Sequence, residues 1–308
     1  MSAPELSVVI VSYRCADHLA QCLGSLDDNA TDVRLEVIVV DNASGDGTVE
    51  VAQAHEGTQV IARHDNAGFG TAANLGMDLA RGHAVLVLNP DTAVPAGTLR
   101  ACLDALWSQP DVGVLTPRIV DEQGTLDARC HRSFPTAWSA ACFATGLDRV
   151  LPWRSAQRYL MRYLPEHEPA KVDAVSGAFM LMRADALHQI GGFDQQFFMY
   201  AEDIDLCMRF RAAGWTVLYW PDATAMHAGG GSGMHGRRTP QADAAAFRTM
   251  APLMRKHRPG VAGAATAAAA LLGGELLLLG SRARRVVDAR HAEQRALNSI
   301  RDSLSEIA

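Results

Sequence analysis

Near-continuous apolar runs alternate with helical patterns through the first third of the chain. Residues 6–13 and 35–40 carry few polar side chains, which is typical of strands that are covered on both faces. A helical pattern follows each run, and another at 69–80 precedes the apolar run 84–88. This alternation predicts a parallel sheet with right-handed crossovers. Ligands of such sheets bind beyond the carboxyl ends of the strands, so we expect the functional residues in the loops at that edge.

The composition is that of a globular protein with an ample core. Of 308 residues, 48% are hydrophobic and 20% are charged, which suits one large α/β domain with an appendage, or two domains. A net charge of −6, without any stretch that combines basic and aromatic residues, gives no reason to expect a nucleic-acid partner. The N-terminus contains Glu5 but no basic segment, and the six cysteines form no CxxC pair. We therefore expect a cytoplasmic protein with reduced thiols.

The pattern becomes less regular in the second half of the chain. Strands are predicted there at 112–115, 175–182 and 215–220, and a helix is predicted at 202–213. A glycine-rich break at 228–236 follows, and beyond it the sequence is helix-like and rich in alanine, leucine and arginine. The break predicts one domain at 1–236 and a helical region at 237–308.

Asn89-Pro90-Asp91 directly follows the apolar run 84–88. A carboxylate at the mouth of a buried strand is well placed to bind a divalent metal. Hard cations such as Mg²⁺ and Mn²⁺ prefer oxygen ligands and share them with substrate phosphates. The same tripeptide is also ordinary turn chemistry after a strand, and the motif alone does not separate the two interpretations.

Asp41 and Asn42 end the second apolar run in the same way. A carboxylate at this position can accept hydrogen bonds from the edge of a nucleobase, so we interpret Asp41 as a binding residue. The alternative is local, with Asp46 or Thr48 capping the next helix and the residues before it forming a turn.

A glycine-rich turn precedes the predicted helix 69–80. Such a turn presents free backbone N–H groups to an anion or a ribose, although turns of this kind are common. The residues assigned to it are Asn66, Gly68, Phe69, Gly70 and Asn74.

Three carboxylates, those of Glu202, Asp203 and Asp205, stand at the start of one predicted helix. They suit the positive end of the helix dipole, which is the structural interpretation. Crowding of like charges also raises carboxyl pKa values toward the range of a general base. Asp205 is the most structural of the three, because Arg209 lies one helical turn further on and can pair with it.

His227 stands after the last predicted strand and before the glycines at 229–233. A lone histidine is more often a surface or capping residue than a ligand, but this position favours a role in the site. The glycines predict either the hinge of a lid or a plain linker.

These motifs occur in an order that resembles one family. The series runs through residues 6–13, 40–47, 66–74, 89–91, 191–206 and 227. It resembles the family-2 inverting glycosyltransferases of the GT-A fold, and most closely their bacterial rhamnosyltransferase branch, over residues 5–235. The resemblance implies a Rossmann-like α/β domain with a mainly parallel sheet flanked by helices, and a helical C-terminal extension. The donor half would be 1–115 and the acceptor half 116–236.

The resemblance also implies catalytic and metal-binding roles. Asp203 would be the catalytic base, with Glu202 assisting nearby. Asp91 and His227 would bind a divalent metal, Mg²⁺ or Mn²⁺. The DxD motif of the family is reduced here to Asn89-Pro90-Asp91, so Asn89 cannot serve as a carboxylate ligand.

The binding residues follow by the same comparison. Ser176 and Gly177 would line the acceptor side. If no metal binds, Arg237 and Arg238 are the next candidates for holding the phosphates. The donor would be dTDP-L-rhamnose, with UDP-sugars as the alternative. The acceptor would be a saccharide or polyprenyl-linked hydroxyl in cell-surface polysaccharide synthesis. The other donor-binding residues implied are Ser12, Tyr13, Asp41, Asn42, Asn66, Gly68, Phe69, Gly70, Asn74, Asn89 and Asp91.

Two other classes of protein compete with this interpretation. A dinucleotide-binding oxidoreductase would have glycines after the first strand, but residues 12–16 contain none. A non-catalytic sugar-nucleotide-binding protein of the same fold is the second alternative. The joint presence of Asp41, Asp91, Asp203 and His227 disfavours it.

The region 261–279 carries a single charge, Glu275, and arginines flank it on both sides. It is just long enough to span a bilayer, which takes about 20 residues, but an acid in its middle disfavours spanning. We predict a helix that lies on the anionic inner surface of the cell membrane. The alternative is a helix that packs on the first domain or on a second subunit.

Overall fold

The computed structural model describes residues 3–228 and 240–282. Several predicted features lie outside these residues: the glycines at 229–233, Arg237, Arg238 and the arginines beyond residue 282.

Within the described residues, nine strands form one mixed sheet and two strands form a small separate sheet. The large sheet has the order β3-β2-β1-β4-β10-β6-β11-β5, with β8 beside β11, and the small sheet pairs β7 with β9. The strands are β1 (Leu6–Ser12), β2 (Leu35–Asp41), β3 (Thr58–Ala62), β4 (Ala84–Leu88), β5 (Thr92–Ala93), β6 (Val112–Val120), β7 (His131–Arg132), β8 (Ala170–Val172), β9 (Ala174–Val175), β10 (Phe179–Arg183) and β11 (Thr216–His227).

The strand directions bring six carboxyl ends to one edge of the large sheet. β1 is parallel to β2 and to β4, and β2 is parallel to β3. β10 is antiparallel to both β4 and β6, so β6 runs in the same direction as β4. β11 is parallel to β6. The edge at which ligands of such sheets bind is therefore shared by the carboxyl ends of β1, β2, β3, β4, β6 and β11.

The predicted α/β class with a mainly parallel sheet is confirmed. The sequence does not predict that β10 runs in the opposite direction, because apolar periodicity carries no information about strand direction. The single strand expected at 175–182 is also divided, with β9 in the small sheet and β10 in the large one.

Helices connect the strands and continue beyond the sheet. They are α1 (Ala16–Asp27), α2 (Thr48–Ala54), α3 (Phe69–Met77), α4 (Thr98–Ser108), α5 (Ala137–Thr145), α6 (Leu147–Val150), α7 (Ala184–Ile190), α8 (Glu202–Ala212), α9 (Pro240–Arg248), α10 (Met250–His257) and α11 (Val261–Arg282).

The core lies between the large sheet and these helices. β1 and β4 are buried over their full length, as their apolar sequences predict. α1 buries Leu19, Leu23 and Leu26, which recur at helical spacing on one face. α3 approaches the sheet closely, because a Cβ atom on Gly76 would stand only 2.4 Å from Cγ1 of Val9 in β1.

The C-terminal helices pack against the rest of the protein. Lys256 and His257 of α10 both bond to Asp205 in α8, and Arg258 donates a hydrogen bond to the carbonyl of Pro135. By length and composition, α11 is the one helix among the described residues that is long and apolar enough to cross a membrane. The division at residues 236 and 237 stays a prediction.

Candidate active site

A cavity of about 640 Å³ is lined by residues that follow β1, β2, β4 and β11. It therefore opens at the edge of the sheet where the sequence predicts the site. The predicted site residues that line it are Tyr13, Asn42, Asn66, Phe69, Asn89, Asp91, Ser176, Gly177, Glu202, Asp203 and His227. Those that do not line it are Ser12, Asp41, Gly68, Gly70 and Asn74.

Asp41 ends β2 and is buried behind the cavity wall. The hydroxyl of Ser12, at the end of β1, donates to Asp41 Oδ1 at 3.0 Å. The backbone N–H of Ser44 donates to Oδ2 at 2.9 Å, and the Ser44 hydroxyl also bonds to Oδ1. The carboxylate therefore organises the loop after β2, and Ser12 supports it from the neighbouring strand.

Asn42 is the residue of this loop that reaches the cavity. It is buried, and its Nδ2 donates to the carbonyl of Gly68 at 3.2 Å. Its Oδ1 is a buried acceptor without a hydrogen-bond donor from the described protein. A buried acceptor of this kind is costly unless a ligand or water satisfies it, so Asn42 suits the N–H edge of a nucleobase.

The turn before α3 is held against the loop that precedes α8. Gly68 has a φ of +87°, and a Cβ atom there would stand 2.3 Å from the carbonyl oxygen of Phe198. The N–H of Phe69 donates to that same carbonyl at 2.9 Å, and the N–H of Gly68 donates to Asn66 Oδ1 at 3.0 Å. Only glycine fits at position 68, because both the backbone conformation and the close approach exclude a side chain.

Gly70 and Asn74 lie within the packing of α3. The Asn74 amide forms two hydrogen bonds with the backbone of Phe193. Its Nδ2 donates to the carbonyl and its Oδ1 accepts from the N–H, both at 2.8 Å. A Cβ atom on Gly70 would stand 2.9 Å from Cβ of Phe193. The two residues thus fix the segment 191–194 against α3.

Asp91 and His227 are brought together by the short strand β5. Residues Thr92 and Ala93 pair with His227 and Met226 of β11, and the N–H of Ala228 donates to the Asp91 carbonyl at 3.0 Å. His227 Nε2 lies 3.1 Å from Asp91 Oδ1. Two motifs that stand far apart in sequence therefore meet at one point of the cavity.

His227 lies between two carboxylates. Its Nδ1 is 3.7 Å from Asp127 Oδ2, which is an ion-pair distance rather than a hydrogen bond. Burial alone would lower the pKa of His227, but the attraction of the Asp127 and Asp91 carboxylates outweighs burial and raises the pKa to about 9. This part of the cavity therefore favours a positive charge.

The same residues fit a divalent metal. Two neighbouring ligands of an octahedral ion, with bonds of about 2.1 Å, stand about 3.0 Å apart. The 3.1 Å between His227 Nε2 and Asp91 Oδ1 matches this spacing. Among residues 3–228 and 240–282, no cluster of three or more His, Cys, Asp or Glu side chains has metal-binding geometry. A metal here would need further oxygen ligands from a substrate or from water.

Glu202 and Asp203 reach the cavity from the first turn of α8. The two preceding residues, Tyr200 and Ala201, have φ values of +69° and +67°. Left-handed backbone at two successive residues other than glycine is strained, and such strain gathers at functional sites. It lets the chain turn sharply into α8, so that the two carboxylates enter the cavity.

Arg132 forms a buried ion pair with Asp203. Its Nη2 bonds to Asp203 Oδ2 and also lies 3.4 Å from the carbonyl oxygen of Val175. Burial would lower the pKa of Arg132, but the attraction of Asp203 outweighs it, so the pKa lies above its ordinary value. Sequence reasoning missed Arg132, because it stands in a two-residue strand within a segment that has no recognisable motif.

Other cavity residues were also missed. Arg129 pairs with Asp243 of α9 at 3.1 Å, and Phe143 and Phe247 pack with ring centroids 5.7 Å apart. All four line the cavity, as does Asp127 beside His227. The C-terminal helices thus form part of the wall.

Comparison with known proteins agrees with this arrangement. The family described as Glycosyltransferase like family 2 matches residues 4–251. The N-acetylglucosaminyl-diphospho-decaprenol L-rhamnosyltransferase of Mycobacterium tuberculosis is 35% identical over 242 residues, which are 72% of this chain and 75% of that protein. The rhamnosyltransferase WbbL of Escherichia coli is 28% identical over 71% of this chain and 82% of its own length.

The fold agrees as well. The mannosyltransferase of Pyrobaculum calidifontis, solved with GDP-Man and Mn²⁺, superposes with a TM-score of 0.57 at 20% identity, over 95% of this chain and 81% of that one. The chain belongs to the family-2 glycosyltransferases and has their GT-A fold.

Proposed function

We propose that this enzyme transfers L-rhamnose from dTDP-L-rhamnose to a hydroxyl group of a lipid-linked saccharide, with inversion at the anomeric carbon. Membership of the family and the similarity to two rhamnosyltransferases support the reaction class and the sugar. The observation that carries the proposal is that Asp203, held by Arg132, shares one cavity with Asp91 and His227. Six free, buried cysteines support a cytoplasmic location.

Asp203 is the base in this proposal. The N–H of Ile204 donates to its Oδ1 at 2.7 Å and Arg132 bonds to its Oδ2. An ionised carboxylate has about four acceptor sites, so two are left after these bonds. One of them accepts the proton of the acceptor hydroxyl, while Arg132 fixes the orientation of the carboxylate.

The hydroxyl oxygen attacks the anomeric carbon from the face opposite the nucleoside diphosphate. The new C–O bond forms as the bond to the diphosphate oxygen breaks, so the configuration inverts without a covalent intermediate. The electron pair of the broken bond leaves with the diphosphate, and Asp203 keeps the proton. Asp91 and His227 would hold a divalent metal, which would supply positive charge to the departing diphosphate.

Donor choice is tested by a panel of nucleotides in thermal-shift and transfer assays. We expect the largest rise in melting temperature with dTDP plus Mn²⁺ and the fastest turnover with dTDP-L-rhamnose. Faster turnover with a UDP-sugar would replace rhamnose in the proposal but keep the enzyme class. A response to NAD without metal, together with no turnover of any sugar nucleotide, would contradict the class itself.

Asp91→Ala should abolish the metal-dependent part of dTDP binding. Loss of even an outer partner of a metal ligand costs about 10- to 100-fold in metal affinity, so loss of a ligand should cost at least as much. Calorimetric titration of dTDP, with and without Mn²⁺, measures the effect, and EDTA should reproduce it in the unaltered enzyme.

The matched control for this change is Asp222→Ala, which removes an exposed carboxylate from β11 outside the cavity. It should leave dTDP binding and its Mn²⁺ dependence unchanged. Transfer that persists both in EDTA and in Asp91→Ala would show that the metal assignment is wrong.

A further inference from the structure

α11 is fixed to the rest of the protein through small residues on one face. A Cβ atom on Gly273 would stand 2.4 Å from Cβ of Ala144 in α5, and one on Gly274 would stand 3.2 Å from Cβ of Phe247 in α9. Glu275 also pairs with Arg248 of α9 at 2.9 Å. α11 therefore lies in the groove between α5 and α9. Pulling it out to span a bilayer would break all these contacts.

Three exposed leucines of α11 lie on the side that adjoins α5. Successive residues of a helix are rotated by about 100°, so Gly274 stands on one side of Gly273. By the same rotation, the side of Gly273 opposite to Gly274 carries Leu272, Leu276 and Leu279, which are turned from Gly273 by about 60° to 120°. Because Gly273 faces α5 and Gly274 faces α9, this leucine face borders α5. The three side chains are between 53% and 67% exposed.

A second exposed apolar segment follows α5 directly in the chain. Leu147 and Val150 belong to α6, and Trp153 comes just after it. Val150 is 72% exposed and Trp153 is 57% exposed. Leu147 stands three residues after Ala144, the residue that touches α11. The leucine face and this segment thus border the same end of α5.

The exposed charges of this segment are all positive. Arg149, Arg154 and Arg158 are exposed, whereas the acid between Leu147 and Arg149, Asp148, is buried and paired with Arg162 at 2.9 Å. The whole chain has a net charge of −6, so an anionic membrane would repel the protein as a whole. Three arginines beside exposed Trp, Val and Leu side chains are the combination that suits an anionic lipid interface.

We propose that the leucine face of α11 and the segment 147–158 form one surface that docks peripherally on an anionic lipid bilayer. The apolar side chains enter the interface, the arginines contact lipid phosphates, and α11 keeps its contacts with α5 and α9.

This surface also borders the active site. Arg149 lines the cavity as well as belonging to the segment, and Phe143 of α5 lines it too. A saccharide attached to a membrane lipid could therefore enter the cavity while its lipid stays in the bilayer. The choice of a lipid-linked acceptor rests on the proposed function, whereas the docking itself does not.

Vesicle co-sedimentation tests the surface in the absence of any acceptor. The unaltered protein should bind vesicles of phosphatidylcholine mixed with phosphatidylglycerol, and bind phosphatidylcholine alone much less. Val150→Ser/Trp153→Ser and Leu272→Ser/Leu276→Ser should each lower the partition coefficient at least about tenfold, because one large side chain withdrawn from hydrocarbon costs about a decade in affinity. Arg154→Gln/Arg158→Gln should lower it on anionic vesicles only.

Leu79→Ser is the matched control. Leu79 is 40% exposed but precedes β4, at the opposite edge of the sheet from the cavity, so this variant should bind vesicles like the unaltered protein. Full binding by Val150→Ser/Trp153→Ser would overturn the composite surface. Protein that stays in the membrane after alkaline carbonate extraction would indicate a helix that spans the bilayer, and this result would also overturn the composite surface. The composite surface would also be overturned if the protein does not bind vesicles and instead forms a dimer that Leu272→Ser/Leu276→Ser dissociates.

Activity separates this inference from the proposed function. Transfer to a water-soluble, short-chain acceptor should be unchanged in Val150→Ser/Trp153→Ser, and transfer to a lipid-linked acceptor in vesicles should fall with vesicle binding. Vesicle binding without transfer to any acceptor would contradict the proposed function and leave the surface standing. Equal loss of transfer to both acceptors would overturn a role of this surface in presenting the acceptor.

Discussion

Asp203→Asn should abolish transfer while leaving donor binding nearly intact. The amide cannot accept the proton of the acceptor hydroxyl, and loss of a general base typically costs about 10²- to 10⁴-fold in rate. The nucleotide would bind near Asn42 and Asp91, and Asp203 contacts neither of them. Initial-rate measurements with saturating donor, together with calorimetric titration of dTDP, separate the two effects.

The buried pair requires a control for folding. Asparagine would leave the Arg132 guanidinium buried without its counter-ion, and breaking a buried pair in this way costs about 3 to 5 kcal/mol. The double variant Arg132→Met/Asp203→Asn removes that charge, so it should recover stability against urea but not transfer. If Asp203→Asn keeps more than half of the transfer rate of the unaltered enzyme, the assignment of Asp203 as the base is wrong. A double variant that regains transfer would contradict the assignment as well.

Several of the predicted site residues that line the cavity follow apolar strands. Asn42, Asn89 and His227 all stand just after a buried strand or at its end, and parallel strands bring such positions to one edge. This inference needs only the pattern of each strand and its direction. The directions of β1, β2 and β4 follow from the alternation with helices. For β11 the pattern gives no direction, and the two reversals around β10 supply it.

The parts that the sequence does not predict depend on contacts between distant segments. Arg132 becomes important only because β7 pairs with β9 and α8 then delivers Asp203 to it. The order of motifs predicts that Asn74 binds the donor, but in the structure its amide holds Phe193, and its role in donor binding stays a prediction. In both cases the sequence supplies a polar residue, and tertiary packing decides what that residue touches.

Asp205 has one partner that local spacing predicts and two that only tertiary packing brings to it. Its pairing with Arg209 one turn along α8 is predicted from spacing and is confirmed, with Arg209 Nε 2.9 Å from Oδ2. Lys256 Nζ and His257 Nε2 of α10 also bond to Oδ1, each at 2.6 Å. These partners stand about fifty residues later in the chain, beyond any local pattern. Asp205 thereby joins α8, the helix that carries Asp203, to the C-terminal helices.

Asp205→Ala should therefore destabilise the protein by about 3 kcal/mol, at the lower end of the cost of breaking a buried ion pair. The carboxylate is fully buried, and its loss leaves three basic groups around an empty position. The cost is not larger because the Arg209 and Lys256 side chains are 21% and 29% exposed and can still reach water. Urea unfolding measures the loss, and hydrogen exchange of residues 250–257 should accelerate as α10 detaches.

Asp194→Ala provides the comparison that isolates burial from charge. Asp194 shares Lys256 as a partner, with Nζ 2.7 Å from its Oδ2, but its side chain is 28% exposed. An ion pair that reaches solvent is worth about 0 to 1 kcal/mol, so Asp194→Ala should cost less than about 1 kcal/mol and leave exchange in α10 nearly unchanged. Similar costs for the two variants would mean that the net charge near α10 matters, rather than the buried carboxylate. In that case Asp205 would not be the link that holds α10 against α8.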